Sequence, residues 1–312
     1  MNDVLSQVGI TANQVIIMFI LIFVGLICHK FKLISDEGSK SFTNIALYVA
    51  MSAVIIDSYQ IDFDYSVATN LIIVALLAFL SHGLLILIST FVFSKKNQNY
   101  RILRFSTIFG NCSFMGIPLI SALLPEHGVI YATAYITVFN ILLWTYGVVL
   151  SDKNGEKLSV KKIFLSPVIL SVIIGLILFF TSIKLPAALG QAVSFIGDLN
   201  TPLAMIVTGV FVAKSNILSS LRKKDVYIVS FIKLILVGVI MSVIMRFIPN
   251  LSLEVKLAVT VLSAVPTAST AIMFAQKYEN DAVYVGEILV ITTVMSLITL
   301  PVSVLLGMLI WG

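Results

Sequence analysis

The sequence predicts an all-α polytopic membrane protein, and two observations support that prediction. Of the 312 residues, 59% are hydrophobic and 11% are charged, and the mean hydropathy is +1.07. A soluble domain has about a quarter charged residues, so this chain has too little polar surface for water. Apolar runs of about 20 residues, long enough to cross a bilayer as a helix, recur along the chain between short polar segments.

These apolar runs predict ten transmembrane helices, numbered here as spans 1 to 10. The N-terminal sequence MNDVLSQVGITANQ lacks the basic region and the cleavage site of a signal peptide, so we expect span 1 to be retained. The predicted spans are residues 13–31, 39–58, 67–93, 101–124, 128–150, 163–183, 190–213, 225–248, 255–277 and 282–311.

The orientation follows from the distribution of lysine and arginine. Alternate loops, such as SKKNQNYR and SDKNGEKLSVKK, hold most of the basic residues, whereas the other loops hold only Lys184, Arg246 and Lys256. By the positive-inside rule, we expect a cell-membrane protein with the basic loops in the cytoplasm and both termini on the extracytoplasmic side. The net charge of +5 therefore reflects topology and does not indicate nucleic-acid binding.

An internal duplication is indicated by corresponding features in residues 1–150 and 151–312. The tripeptide at Gly25 in span 1 recurs at Gly175 in span 6, and the fourth span of each half contains a proline-bearing interruption. These interruptions are GNCSFMGIPLI in span 4 and SAVPTASTA in span 9. Because each half has an odd number of spans, the second half is inserted upside down, which predicts a 5+5 inverted repeat.

The two interruptions predict broken helices. Proline has no amide hydrogen and suits the first turn of a helix, so we expect new half-helices to begin at Pro118 and Pro266. Their electropositive N-termini would meet at the membrane centre and favour an anion. The alternative is that the serines and threonines there only repair freed carbonyls. The candidate substrate-binding residues are Asn111, Cys112, Ser113, Gly116, Pro118, Pro266, Thr267, Ser269 and Thr270.

The motifs NCSFMGIPLI at 111–120, AVPTASTAIMFAQKYEND at 264–281 and TTVMSLITLPVSVLL at 292–306 resemble the auxin efflux carrier family, which includes the plant PIN proteins and bacterial organic-anion carriers. The resemblance implies crossing broken helices in spans 4 and 9, as in sodium/proton antiporters and bile-acid symporters. It also implies a scaffold of spans 1, 2, 6 and 7, with a transport part of spans 3–5 and 8–10 that moves by an elevator mechanism. Many members have a proline in span 2, where this chain has Met51 and Ser52.

Ionisable and polar residues inside spans are candidates for coupling transport to an ion. His82 could relay a proton or hydrogen bond to a neighbouring helix, and Asp198 with Asn200 could bind a cation or pair with a lysine. We expect Lys233 either to take part in coupling or to extend to the cytoplasm along its alkyl chain. Glu287 could carry a coupling proton.

These features favour a secondary carrier for a small organic anion, such as a carboxylate, over other classes. The alternative is a sodium- or proton-coupled antiporter or symporter of another solute, which would need a carboxylate beside the breaks. No enzyme is expected, because the spans contain no zinc-protease motif, aspartate pair or serine–histidine arrangement. We also expect no cofactor and no metal, because Cys28 and Cys112 lie without clustered histidines. Protons or sodium as coupling ion, and a homodimer as assembly, are left open.

Overall fold

The computed structural model describes residues 2–152, 166–214 and 223–312, and over these ranges the chain is helical with no strands. Each predicted span coincides with one helix or with a pair of helices. The basic loops predicted at 151–162 and 214–225 lie largely outside the described residues.

The helices are numbered α1 to α13, and short π-helical stretches inside several of them are counted with the helix that contains them. Their bounds are α1 Asn2–Lys30, α2 Glu37–Ser58, α3 Tyr65–Val92, α4 Tyr100–Ile108, α5 Cys112–Leu123, α6 Gly128–Ser151, α7 Pro167–Thr181, α8 Ala187–Asp198, α9 Asn200–Lys214, α10 Lys224–Arg246, α11 Leu253–Ser263, α12 Thr270–Lys277 and α13 Ala282–Trp311.

Among the described residues, seven helices, or pairs of consecutive helices, are long and apolar enough to cross a membrane. The prediction of a polytopic all-helical membrane protein is therefore confirmed. Predicted spans 4, 7 and 9 are each divided between two consecutive helices, namely α4 with α5, α8 with α9, and α11 with α12. Helix α1 begins well before the predicted start of span 1, because hydropathy marks the limit of the apolar surface whereas the helix also includes the polar turns before it.

Helices α1 and α9 pack closely because glycines face the partner backbone. A Cβ atom on Gly25 would lie 2.1 Å from the carbonyl oxygen of Ile206, and one on Gly209 would lie 2.0 Å from the carbonyl oxygen of Ile22. In a lipid environment, where apolar side chains gain little by leaving the solvent, small residues that allow backbones to approach are a main source of helix association. The α1–α9 contact is the most extensive between any two helices described.

A second glycine-mediated contact joins α2 to α7. A Cβ atom on Gly175 would lie 2.4 Å from the Tyr59 ring, and the Tyr59 hydroxyl hydrogen bonds to the Thr133 hydroxyl of α6 at 2.7 Å. Helix α2 also packs on α8, while α3 packs on α6 and α10 packs on α13. Helix α1 contacts α13 as well as α9.

Replacing Gly25 with alanine tests the packing of α1 on α9. The added methyl group would clash with backbone atoms, which cannot move aside as a side chain can, so the helices must separate. We expect a loss of about 1–3 kcal/mol of stability, the usual range for overpacking, measured as a lower midpoint of thermal unfolding of the purified protein. Gly9→Ala on the same helix is the matched control, because nothing lies within 4 Å of that position. An equal effect of the two substitutions would contradict the packing account.

Candidate functional site

The interruptions of spans 4 and 9 lie against each other and share their backbone hydrogen bonds. The Asn111 N–H donates to the Pro266 carbonyl at 2.7 Å, and the Ala268 N–H donates to the Phe109 carbonyl at 2.9 Å. Gly110 and Thr267 lie opposite each other between these two bonds as an isolated antiparallel bridge. Each non-helical segment therefore satisfies the backbone of the other, as the interior of a membrane requires.

One of the two predicted half-helix starts agrees with the structure in part. The α-helical part of α5 begins at Ile117 with Pro118 in its first turn, as predicted, but a π-helical stretch extends the helix back to Cys112. Helix α12 begins at Thr270, so the predicted start at Pro266 is wrong. Pro266 instead lies in the non-helical segment, where its missing N–H costs nothing and its carbonyl accepts from Asn111.

Polar groups cap the C-terminal ends of α4 and α11, where unpaired carbonyls carry partial negative charge. The Thr267 hydroxyl donates to the Ser106 carbonyl in the last turn of α4 at 2.9 Å. The Lys233 ammonium of α10 donates to the Ser263 carbonyl at the end of α11 at 3.2 Å. Each of these two helices thus receives a side-chain donor on a carbonyl at its C-terminal end.

Lys233 lies behind the first break and is only 1% exposed. A Cβ atom on Gly110 would lie 2.7 Å from both Cε and Nζ of Lys233, so only glycine leaves room for this side chain. The expectation that Lys233 extends to the cytoplasm is therefore wrong. An ammonium group next to the break places a positive charge beside the point where the two interruptions meet.

A small cavity of about 50 Å³ lies on the other side of the breaks, and we call it the break cavity. Its walls come from both interruptions, from α6 and, on the facing side, from Leu47 of α2 and Val168 of α7. Among the predicted substrate-binding residues, the cavity brings together Asn111, Cys112, Ser113, Ser269 and Thr270.

Three residues that line the break cavity each have a buried polar side-chain atom without a hydrogen-bond partner: Asn111 Nδ2, Ser269 Oγ and Thr270 Oγ1. Leaving such a group unpaired costs about 1–3 kcal/mol, so three of them on residues around one cavity indicate a polar ligand. The amides of the first turn of α5 add to these donors. Met115 and Gly116 donate to the Asn111 carbonyl, whereas Ser113 and Phe114 lie too early in the helix for an intrahelical acceptor.

The other four predicted residues lie outside the break cavity. A Cβ atom on Gly116 would lie 2.5 Å from Leu262 Cδ2, so this glycine allows α5 to pack on α11. Pro118 lines a separate cleft, while Pro266 and Thr267 hold the breaks together through the bonds described above. Leu47 and Val168 could not be predicted from the sequence, because an apolar residue that lines a site does not differ from its apolar neighbours in the span.

The remaining coupling candidates are dispersed. His82 is buried in α3, where its Nδ1 contacts the Ala78 carbonyl at 2.8 Å and its Nε2 has no partner. Glu287 is buried near the start of α13 and forms an ion pair with Lys223, the residue before α10. Asp198 and Asn200 flank the junction of α8 and α9 and lie far along the chain from either break.

A larger cavity of about 590 Å³ lies between α2, α5 and α8, and we call it the wide cleft. Pro118 and Ser121 of α5 form one wall, while Val54 of α2 and Gly197 of α8 belong to the opposite one. The cleft reaches Glu126 in the loop after α5, so it lies toward the ends of the helices that the sequence analysis assigns to the extracytoplasmic side.

Comparison with known proteins agrees with this architecture. A family model described as membrane transport protein matches residues 10–163 and 156–304. A protein described as an uncharacterized transporter of Methanocaldococcus jannaschii is 24% identical over 304 residues, which cover 93% of this chain and 97% of that protein.

An all-helical membrane fold with these matches defines an integral membrane transporter. The chain belongs to the membrane transport protein family, which is the auxin efflux carrier family that the motifs of spans 4, 9 and 10 resemble. The family membership predicted from the sequence motifs is thereby confirmed.

Two threonines near the breaks should respond oppositely to the same substitution. Thr267→Val removes the hydroxyl that caps α4, so it should destabilise the protein by about 1–3 kcal/mol, because a buried carbonyl loses its donor. Thr270→Val removes a hydroxyl that has no partner, so the unfolding midpoint should be unchanged or higher. Thermal unfolding of the two purified variants measures the difference. Equal destabilisation would show that both hydroxyls only repair the helices.

Proposed function

We propose that the protein is a secondary carrier that moves a small organic anion, a carboxylate, across the cell membrane. The observation that supports this best is the break cavity, where unpartnered donors of Asn111, Ser269 and Thr270 surround one small space. A carboxylate offers only acceptor lone pairs, so it complements a set of amide and hydroxyl donors. Its charge also suits a site at the start of a helix.

The charges around the break cavity favour an anion over a cation. No acidic side chain lines it among the described residues, and Lys233 lies directly behind Gly110. The N-terminus of α5 adds about half a positive charge, whereas the opposite ends of α4 and α11 are capped. This arrangement argues against the alternative of a sodium or proton site at the breaks, which would need a carboxylate there.

The size of the break cavity fits the charged head of a ligand. A volume of about 50 Å³ exceeds the roughly 10–15 Å³ of cavity that one water molecule needs, but it is far smaller than the wide cleft of about 590 Å³. It can hold a carboxylate group but not the body of a metabolite. The rest of the substrate would therefore extend between the breaks and the facing apolar wall of Leu47 and Val168, or would enter as that wall moves away.

Alternating access is proposed to occur by an elevator movement of a transport part against a scaffold. The scaffold would comprise spans 1, 2, 6 and 7, which correspond to α1, α2, α7, α8 and α9, and the transport part would contain the two breaks. The glycine-mediated contacts support this division, because α1 with α9 and α2 with α7 are pairs that an inverted repeat would relate. The halves of that 5+5 repeat would be residues 1–150 and 151–312, with spans 4 and 9 crossing at the breaks.

The orientation of the protein in the membrane is also proposed. With the basic loops in the cytoplasm, both termini are extracytoplasmic and the wide cleft opens outward. The structure would then represent a state with access from outside, in which the break cavity is separated from the wide cleft by α5.

Replacing Asn111 with alanine tests the site. The substitution removes an amide donor that the protein does not otherwise use, so the expected result is at least a tenfold loss of carboxylate uptake with normal expression and an unchanged unfolding midpoint. Uptake is measured in proteoliposomes across a panel of mono- and dicarboxylates, with and without proton and sodium gradients. Asn70→Ala is the matched control, because that amide binds the Tyr131 hydroxyl away from the cavity. Near-normal uptake in Asn111→Ala would overturn the assignment of Asn111.

Replacing Lys233 with methionine tests the electrostatic part of the proposal. Methionine fills a similar volume without charge, so we expect at least a tenfold weaker apparent affinity for the carboxylate. Because the Ser263 carbonyl also loses a donor, the unfolding midpoint of the variant is measured in parallel. A folded Lys233→Met protein that binds the carboxylate with unchanged affinity would show that Lys233 is only structural.

A further inference from the structure

The wide cleft has an electrostatic character opposite to that of the break cavity. Three carboxylates line it, from Asp57 of α2, Glu126 after α5 and Asp198 at the end of α8. No lysine, arginine or histidine is among the described residues that line it. A carboxylate substrate that enters this cleft would be repelled, because like charges at the mouth of a low-dielectric cleft reduce the local concentration of the ligand.

Helix packing brings two of these carboxylates to one place. Helix α8 approaches α2 at Gly197, where a Cβ atom would lie 3.3 Å from Val54 Cγ2. Asp198 follows Gly197 directly, and Asp57 lies three residues after Val54, which is one turn further along the same face of α2. Both side chains line the wide cleft at this contact.

Asn200 supplies an independent indication of a ligand at the same place. Asn200 lines the wide cleft but is only 1% exposed, and neither its Nδ2 nor its Oδ1 has a hydrogen-bond partner. Buried amides are normally paired with protein or with a bound species.

We propose that the wide cleft binds a small inorganic cation between the Asp57 and Asp198 carboxylates and the Asn200 Oδ1 atom. All three ligands are oxygen atoms, which hard cations such as Na⁺ and Ca²⁺ prefer. The cation would neutralise the cleft before an anion passes, and only this consequence rests on the proposed function. Because α2, α8 and α9 belong to the proposed scaffold, the cation would stimulate uptake without being carried with the substrate.

Cation binding is tested by thermal unfolding of the purified full-length protein titrated with NaCl or with CaCl₂. The ionic strength is held constant with N-methyl-D-glucamine chloride, and no organic anion is added. We expect a saturable rise of the unfolding midpoint with at least one of the two cations. The half-saturating concentration should increase at least tenfold in Asp198→Asn and in Asn200→Ala.

Asp62→Asn is the matched control, since this carboxylate is 88% exposed and pairs with Lys184 at 3.0 Å without lining the wide cleft. Its response to the cations should equal that of the unmodified protein. If Asp198→Asn does not fold, Asp57→Asn on the facing helix provides the same test. Absence of a saturable rise, or a rise of equal size and midpoint in the cleft variants, would overturn the proposal.

The cation site and the anion site can fail independently. Asn111→Ala should lose the carboxylate but keep the response to the cation, because Asn111 does not line the wide cleft. A protein that binds the cation but transports no carboxylate would refute the proposed function and leave the cation site standing. Carboxylate transport without any cation response would refute the cation site and leave the proposed function standing.

Discussion

The structure depends on one constraint, which is that a backbone left without helical hydrogen bonds inside a membrane must find other partners. Spans 4 and 9 are interrupted by non-helical segments, and neither segment could be stable in lipid alone, because each unpaired amide or carbonyl costs several kcal/mol there. The interruptions solve this by pairing with each other through Asn111, Pro266, Phe109 and Ala268. The position of each break therefore fixes the position of the other.

The pairing leaves an asymmetry that gives the site its chemistry. Carbonyls at the ends of α4 and α11 accept from Thr267 and Lys233, whereas Asn111, Ser269 and Thr270, at the start of α5 and α12, line the break cavity and have side-chain donors without partners. Serines and threonines that only repaired helix ends would all be hydrogen bonded. Thr267 meets that description and Thr270 does not, so the structure distinguishes two threonines of one segment that the sequence could not separate.

Much of the fold could be predicted from the sequence, because long apolar runs have few solutions in a bilayer. The ten runs correspond to helices, and the segments around Asn111 and Pro266 are the interruptions. The exact helix starts could not be predicted, since proline permits a first turn but does not require one: Pro118 follows a π-helical stretch, and Pro266 lies outside any helix. The burial of Lys233 could not be predicted either, because its alkyl chain is long enough to extend to the surface. The structure shows that the space beside Gly110 holds its ammonium group.

The apolar residues Leu47 and Val168 and the carboxylates of Asp57 and Asp198 all lie on helices of the proposed scaffold, which would give the charged head of the substrate no hold and would control which ions approach. The central claim is that the break cavity recognises negative charge. It is tested most directly by measuring the binding of a carboxylate and of its neutral amide, such as succinate and succinamide for a dicarboxylate ligand, to the unmodified purified protein by calorimetry. The account predicts that a carboxylate from the transported set binds at least a hundredfold more tightly than its amide. Equal affinity for the two would contradict it.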